Sequence, residues 1–79
     1  MSTLGHIQEV FREVLELPDL QLQYSTTAAE VRGWTSMTHV RILLAIENRF
    51  RIRFEAHEII NVKNVGDLAN LIESKARAA

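Results

Sequence analysis

Cysteine is absent from this chain of 79 residues, so it has no disulfide framework, no thiolate nucleophile and no zinc–thiolate cluster of its own. That absence fits a reducing cytoplasm. Long apolar runs are missing too: the longest, Ile42 to Ile46, falls far short of the roughly 20 residues that span a bilayer. The opening Met1-Ser2-Thr3-Leu4-Gly5-His6 lacks the basic start and apolar stretch of a signal peptide. A cytoplasmic location without membrane insertion is therefore expected. There is no large excess of charge of either sign, and the formal net charge of −1 speaks against a general affinity for nucleic acid.

What is present is ordinary for a soluble globular protein: 47% hydrophobic and 24% charged residues. A chain this short buries one modest core, so residues 1–79 are expected to fold as a single, monomeric domain with little room for an elaborate enzyme active site. The charges are unevenly placed. Arg32, Arg41, Arg49, Arg51 and Arg53 face only Glu47 in the middle of the chain, whereas Glu9, Glu13, Glu16 and Asp19 make the N-terminal third largely acidic.

Helical periodicity dominates. Leu4, Ile7, Phe11, Val14 and Leu15 line one side of a first helix over Leu4 to Leu17, with Ser2 or Thr3 as cap and Pro18 marking its end. From Pro18 to Thr35 the pattern is lost. A connection of that length in a small domain is often functional, and Leu20, Leu22, Tyr24 and Val31 are expected to pin it to the core. The spacing predicts a second helix over Ser36 to Phe50, with Thr35 and Ser36 both offering cap oxygens. Ile42, Leu43, Ile46 and Phe50 form its core stripe; Met37, Val40 and Leu44 form a second stripe that is free to meet a partner. Glu55 to Asn61 reads as a short helix using Ile59 and Ile60. A last helix is expected over Val65 to Ala76, with Asn64 as cap, Asp67 near the positive end of its dipole, and Val65, Leu68, Leu71 and Ile72 facing inward. The fold class is all-α: a bundle of three main helices plus a short one, with a long loop between helices one and two.

Several local patterns have duller explanations than function. Arg49 to Phe54 alternates like a strand but has no second strand to pair with, so an extended loop is expected. As a nucleic-acid patch it is poor, because the alternation turns Phe50 and Phe54 away from the side that shows the arginines. His57-Glu58-Ile59-Ile60-Asn61 begins like a zinc-protease motif but has Asn61 where the second histidine must stand, so no metal site is expected. His39 lies one turn after Ser36 with no evident third residue to orient it, and surface or partner contact is its expected role rather than catalysis. Trp34 reads equally as a buried anchor for the loop and as a partner contact.

The informative stretch is Gly33-Trp34-Thr35-Ser36-Met37-Thr38-His39-Val40, continuing to Glu47-Asn48-Arg49-Phe50. It sets a primary alcohol after a long loop, in the first turn of a helix, with apolar residues on both sides. By itself Ser36 is an ordinary cap candidate. The whole segment, however, resembles the modification site of acyl carrier proteins, whose pattern is Asp-Ser-Leu, an apolar residue at the place of Val40, and a helix ending in Glu-x-x-Phe. Phe50 to Phe54, Glu58-Ile59 and Val65-Gly66-Asp67-Leu68 are similar to the second half of that family, so the resemblance runs from about Leu4 to Lys75.

The resemblance implies a carrier rather than an enzyme. A phosphopantetheinyl transferase would move 4′-phosphopantetheine from coenzyme A to Ser36. A loading ligase would then charge its thiol with an acyl, aminoacyl or polyketide unit for a downstream synthase or transferase. Trp34, Thr35, Met37, Val40, Arg41, Leu44 and Val62 are the partner-binding candidates on this view. Two departures stand out: Thr35 replaces the family's aspartate and Met37 its leucine. The arginines of helix two also contrast with the acidic second helix usual in fatty acid synthesis, which implies a specialised pathway with dedicated enzymes. The alternative is an unmodified helical module that binds another protein through Met37, Val40 and Leu44.

Overall fold

The computed structural model describes residues 2–78, with side chains through residue 76. Among the described residues the regular elements are all helical: α1 (Thr3–Leu15), a single 3₁₀ turn (Ala28–Glu30), α2 (Ser36–Phe50), α3 (Ala56–Ile60) and α4 (Val65–Ala78). The expected all-α bundle with one long loop is what forms.

The main helices supply fully buried side chains to the centre: Ile7 and Phe11 from α1, Ile42 and Ile46 from α2, and Val65, Leu68 and Ile72 from α4. α1 packs on both α2 and α4. Val10 is buried as well, which widens the expected stripe of α1 by one position. Phe50 sits at the rim instead, half-buried and edge-on to the His6 ring with centroids 5.6 Å apart. Leu71 is likewise only half-buried.

The helix ends follow local chemistry. Ser2 caps α1 by accepting from the Gly5 amide at 3.1 Å. α1 stops at Leu15, two residues before the predicted end, because Glu16 turns left-handed (φ 56°) and closes the helix with its amide on the Arg12 carbonyl. Pro18 explains why it cannot resume, since the ring disfavours helical backbone at Leu17. α2 ends the same way at Arg51 (φ 57°). The chain then runs without regular structure, as a loop, with Ile52 buried, Arg51 and Arg53 exposed, and the Phe54 amide donating to Glu47 Oε2 at 2.8 Å.

The long loop is held mostly through its backbone. Gln8 Oε1 accepts from the Leu22 amide at 2.8 Å, and Arg12 Nε donates to the Leu20 carbonyl at 2.7 Å. At the other side, the first amides of α4, which have no partner inside their own helix, donate to the loop: Val65 to the Thr26 carbonyl at 2.9 Å and Gly66 to the Tyr24 carbonyl at 2.7 Å. Leu22 and Val31 are buried as expected, but Tyr24 is 54% exposed. Its carbonyl, not its ring, makes the attachment. Ile60 is a second correction: at 78% exposure it contributes nothing to the core, which α3 reaches through the half-buried Ile59. Glu58 ties α3 to α4 by an ion pair with Lys75 at 2.7 Å.

Candidate functional site

The turn that opens α2 is built by Gly33, Thr35 and Thr38. Gly33 takes a positive φ of 84°, which a side chain would strain, and points the chain into the helix. Thr35 is the cap: its Oγ1 accepts from the Thr38 amide at 3.3 Å, while the Thr35 amide donates to Thr38 Oγ1 at 2.7 Å. The Thr38 hydroxyl also donates to the Gly33 carbonyl at 2.6 Å. This reciprocal box satisfies two amides that a helix start otherwise leaves open.

Ser36 is thereby released from capping. It is the first residue inside α2, exposed, and its hydroxyl makes no hydrogen bond among the described residues. The positive end of the helix dipole lies beside it, in a position that favours an anionic substituent. Of the two cap oxygens that the sequence offers, only that of Thr35 is used.

Trp34 is 8% exposed and takes the anchoring role of the two left open for it. Its ring meets Phe11 edge-on with centroids 4.8 Å apart, so the loop end is fastened to α1 just before Ser36. On its other side the indole Nε1–H donates to His39 Nδ1 at 2.9 Å, and the two rings lie 25° from parallel. Partial burial holds the His39 pKa below its ordinary value of 6.5. His39 therefore has the orienting neighbour that the local sequence did not reveal.

A groove of ≈ 260 Å³ opens beside the serine, and Trp34, Thr35, Ser36, His39, Val62 and Lys63 line it. The fold thus brings Trp34, Thr35, Ser36 and Val62 together although Val62 belongs to the segment after α3. Met37, Val40, Arg41 and Leu44 do not line the groove. They lie on the outer face of α2, with Met37 81%, Val40 56% and Leu44 54% exposed and Arg41 exposed among them. Arg49 is elsewhere: its guanidinium is paired with Glu9 and its Nε donates to His6 Nδ1 at 3.1 Å, which stitches α2 to α1. Lys63 is not among the candidates the sequence offers, and His39, expected at the surface or against a partner, is instead partly buried against Trp34 and lines the groove. The five-residue step from Trp34 to His39 was the one available signal, and it acquires meaning only once the turn at Gly33 is known.

Among the described residues the ligand atoms of Glu55, His57 and Glu58 come within 4.8 Å of one another. Glu58 is already held by Lys75 and by the Glu55 amide, contacts that keep its pKa below 4.5, so the group is explained by the start of α3. No helix among the described residues is long and apolar enough to cross a membrane.

A small helical bundle whose second helix opens on an uncommitted serine beside a groove is the architecture of a phosphopantetheine carrier protein. The chain belongs to the phosphopantetheine attachment site family, whose model matches residues 6–72. Among solved structures it is similar to the solution structure of holo acyl carrier protein from Geobacter metallireducens, with 32% identity and a TM-score of 0.91, over 99% of this chain and 90% of that one. No curated protein matches the sequence significantly. The chain is thus a carrier of the acyl carrier protein family that works through covalently attached 4′-phosphopantetheine. The arm supplies a thiol to a protein that has none, and that thiol is what bears cargo as a thioester.

Proposed function

We propose that Ser36 is the residue that bears the arm. The observation that supports this is the division of labour in the first turn of α2: Thr35 performs the capping, and the Ser36 hydroxyl is left exposed, unbonded and at the positive end of a helix. In the transfer, the Ser36 oxygen attacks the phosphorus that carries pantetheine in coenzyme A. A phosphodiester bond forms, the pyrophosphate bond to adenosine 3′,5′-bisphosphate breaks, and the serine proton passes to the transferase. Thr35 caps the helix but brings no carboxylate where the family's pattern has aspartate, so the reading calls for a transferase that does not depend on that charge.

The outer face of α2 is the partner surface on this reading. It offers Met37, Val40 and Leu44 with Arg41 beside them, Arg51 is exposed at the helix end, and the acid of the helix, Glu47, accepts from the Phe54 amide. Such a face fits enzymes with an apolar notch bordered by carboxylates and repels basic docking patches. The partners are then a dedicated ligase that loads an acyl or aminoacyl group and a downstream synthase or transferase of a specialised cytoplasmic pathway.

Incubation with coenzyme A, Mg²⁺ and a permissive phosphopantetheinyl transferase, followed by intact-mass measurement, tests the attachment. The expected result is the gain of one phosphopantetheine in the wild type and none in Ser36→Ala. An equal gain in the variant, or none in the wild type with several transferases, overturns it.

A further inference from the structure

The groove beside Ser36 has two kinds of wall. Trp34 and Val62 are apolar; His39 and Lys63 are polar, and the ammonium of Lys63 makes no ion pair among the described residues. His39 follows Ser36 by three residues in α2, a spacing that puts both side chains on one face of the helix.

The orientation of the imidazole is determined by the core. An indole N–H can only donate, so the His39 nitrogen it meets at 2.9 Å must accept. In the neutral ring the proton therefore sits on Nε2. Trp34 cannot swing to release the contact, because Phe11 is fully buried against its other side. The near-parallel stacking of the two rings, with centroids 5.9 Å apart, fixes the imidazole plane as well. A locked Nε2–H donor results, and nothing among the described residues accepts from it. Partial burial favours the neutral ring and so preserves this tautomer at neutral pH.

Satisfying the indole N–H would not require this arrangement, since a backbone carbonyl serves equally well. What the arrangement adds is a directed donor one helical turn from Ser36, with Lys63, the other ionisable group lining the groove, also at hand. A phosphodiester has two non-bridging oxygens and one negative charge, which match one neutral donor and one cation. We propose that His39 is a positioning residue for the prosthetic arm, its Nε2–H donating to a non-bridging oxygen of the Ser36-linked phosphodiester while Lys63 supplies counter-charge. The inference rests on attachment at Ser36. Its consequence is that the root of the arm is drawn into the groove, whose lining does not include Met37, Val40 or Leu44, so the partner face remains uncovered.

The test compares apo protein with arm-bearing protein of verified mass, using imidazole ¹⁵N shifts and the ³¹P resonance followed through a pH titration. Apo protein is expected to show His39 protonated on Nε2 alone. Attachment of the arm should move the His39 midpoint upward, because an adjacent anion favours the imidazolium. The ³¹P shift should follow the same midpoint and lose that dependence in His39→Gln. In Trp34→Phe both tautomers should appear, and Lys63→Gln should move the ³¹P resonance at constant pH. Arm-bearing protein whose His39 midpoint equals that of apo protein, with a flat ³¹P titration, overturns the inference and leaves Ser36 attachment standing. Failure of the wild type to gain any arm overturns both together, so the two failures are distinguishable.

Discussion

Replacing Gly66 by alanine adds one methyl group where α4 meets the long loop. Ordinarily the change favours a helix by up to about 1 kcal/mol. Here the added carbon would stand 2.9 Å from the Tyr24 carbonyl oxygen and 3.3 Å from Asn64 Oδ1. The nearer atom is backbone, so relief requires the loop itself to move. That movement stretches the hydrogen bond from Gly66 to Tyr24 (2.7 Å) and its neighbour from Val65 to Thr26 (2.9 Å). Each is worth about 0.5–1.5 kcal/mol net, and overpacking typically costs about 1–3 kcal/mol. Against the gain in propensity, a net loss of about 1–3 kcal/mol is expected for Gly66→Ala. For a domain of this size each kcal/mol lowers Tm by about 4–8 °C. Urea unfolding followed by circular dichroism and by the single tryptophan, Trp34, measures it directly. A variant as stable as the wild type, or more stable, would show that helix propensity prevails and that the first turn of α4 does not hold the loop.

Two further outcomes follow from the same geometry. Thr35→Ala should cost about 1 kcal/mol by removing the cap of α2, while Ser36→Ala should stay within about 0.5 kcal/mol because its hydroxyl holds nothing; chemical denaturation of the pair checks this, and the reverse ranking would make Ser36 the cap. Stability should fall on acidification in two windows. His39 has a lowered folded pKa, so the unfolded chain takes up its proton first and stability declines as pH drops below about 6.5. Glu58, lowered mainly by the hydrogen bond from Lys75, contributes above about pH 4.5 and loses that contribution as pH falls through its lower folded value. Melting curves from pH 7 to 3 should show both declines, the upper one absent in His39→Gln and the lower one absent in Glu58→Gln.

Much of the architecture was legible because it is local. The bounds of α2 follow from Thr35, an oxygen-bearing residue ahead of an apolar period, and from Arg51 leaving the helix beyond Phe50. The expected end of α1 is two residues too late because Glu16 leaves the helix in a left-handed conformation, a local turn that apolar periodicity does not register. Tyr24 was misassigned because an aromatic residue in a loop suggests an anchor, whereas the anchor is its carbonyl. Within Val65-Gly66-Asp67-Leu68 the sequence marks Gly66 only through a family likeness; its close approach to the loop gives that glycine a physical reason.

Sequence by itself determined the helices, the candidates for their caps and a serine at the head of α2, since each of these depends on residues within about four positions of one another. Tertiary structure alone decided that Arg49 is spent on Glu9 and so leaves the outer face to Arg41, that Trp34 is an anchor which also aims His39, and that Val62 and Lys63 form a groove with Ser36. Those pairings join residues from five to forty positions apart, brought together by burial around Phe11, Ile42 and Leu68 rather than by any local pattern. Ser36 and Thr35 both offer a cap oxygen in the sequence; the folded turn gives the Thr38 amide to Thr35 and leaves the Ser36 hydroxyl without that duty.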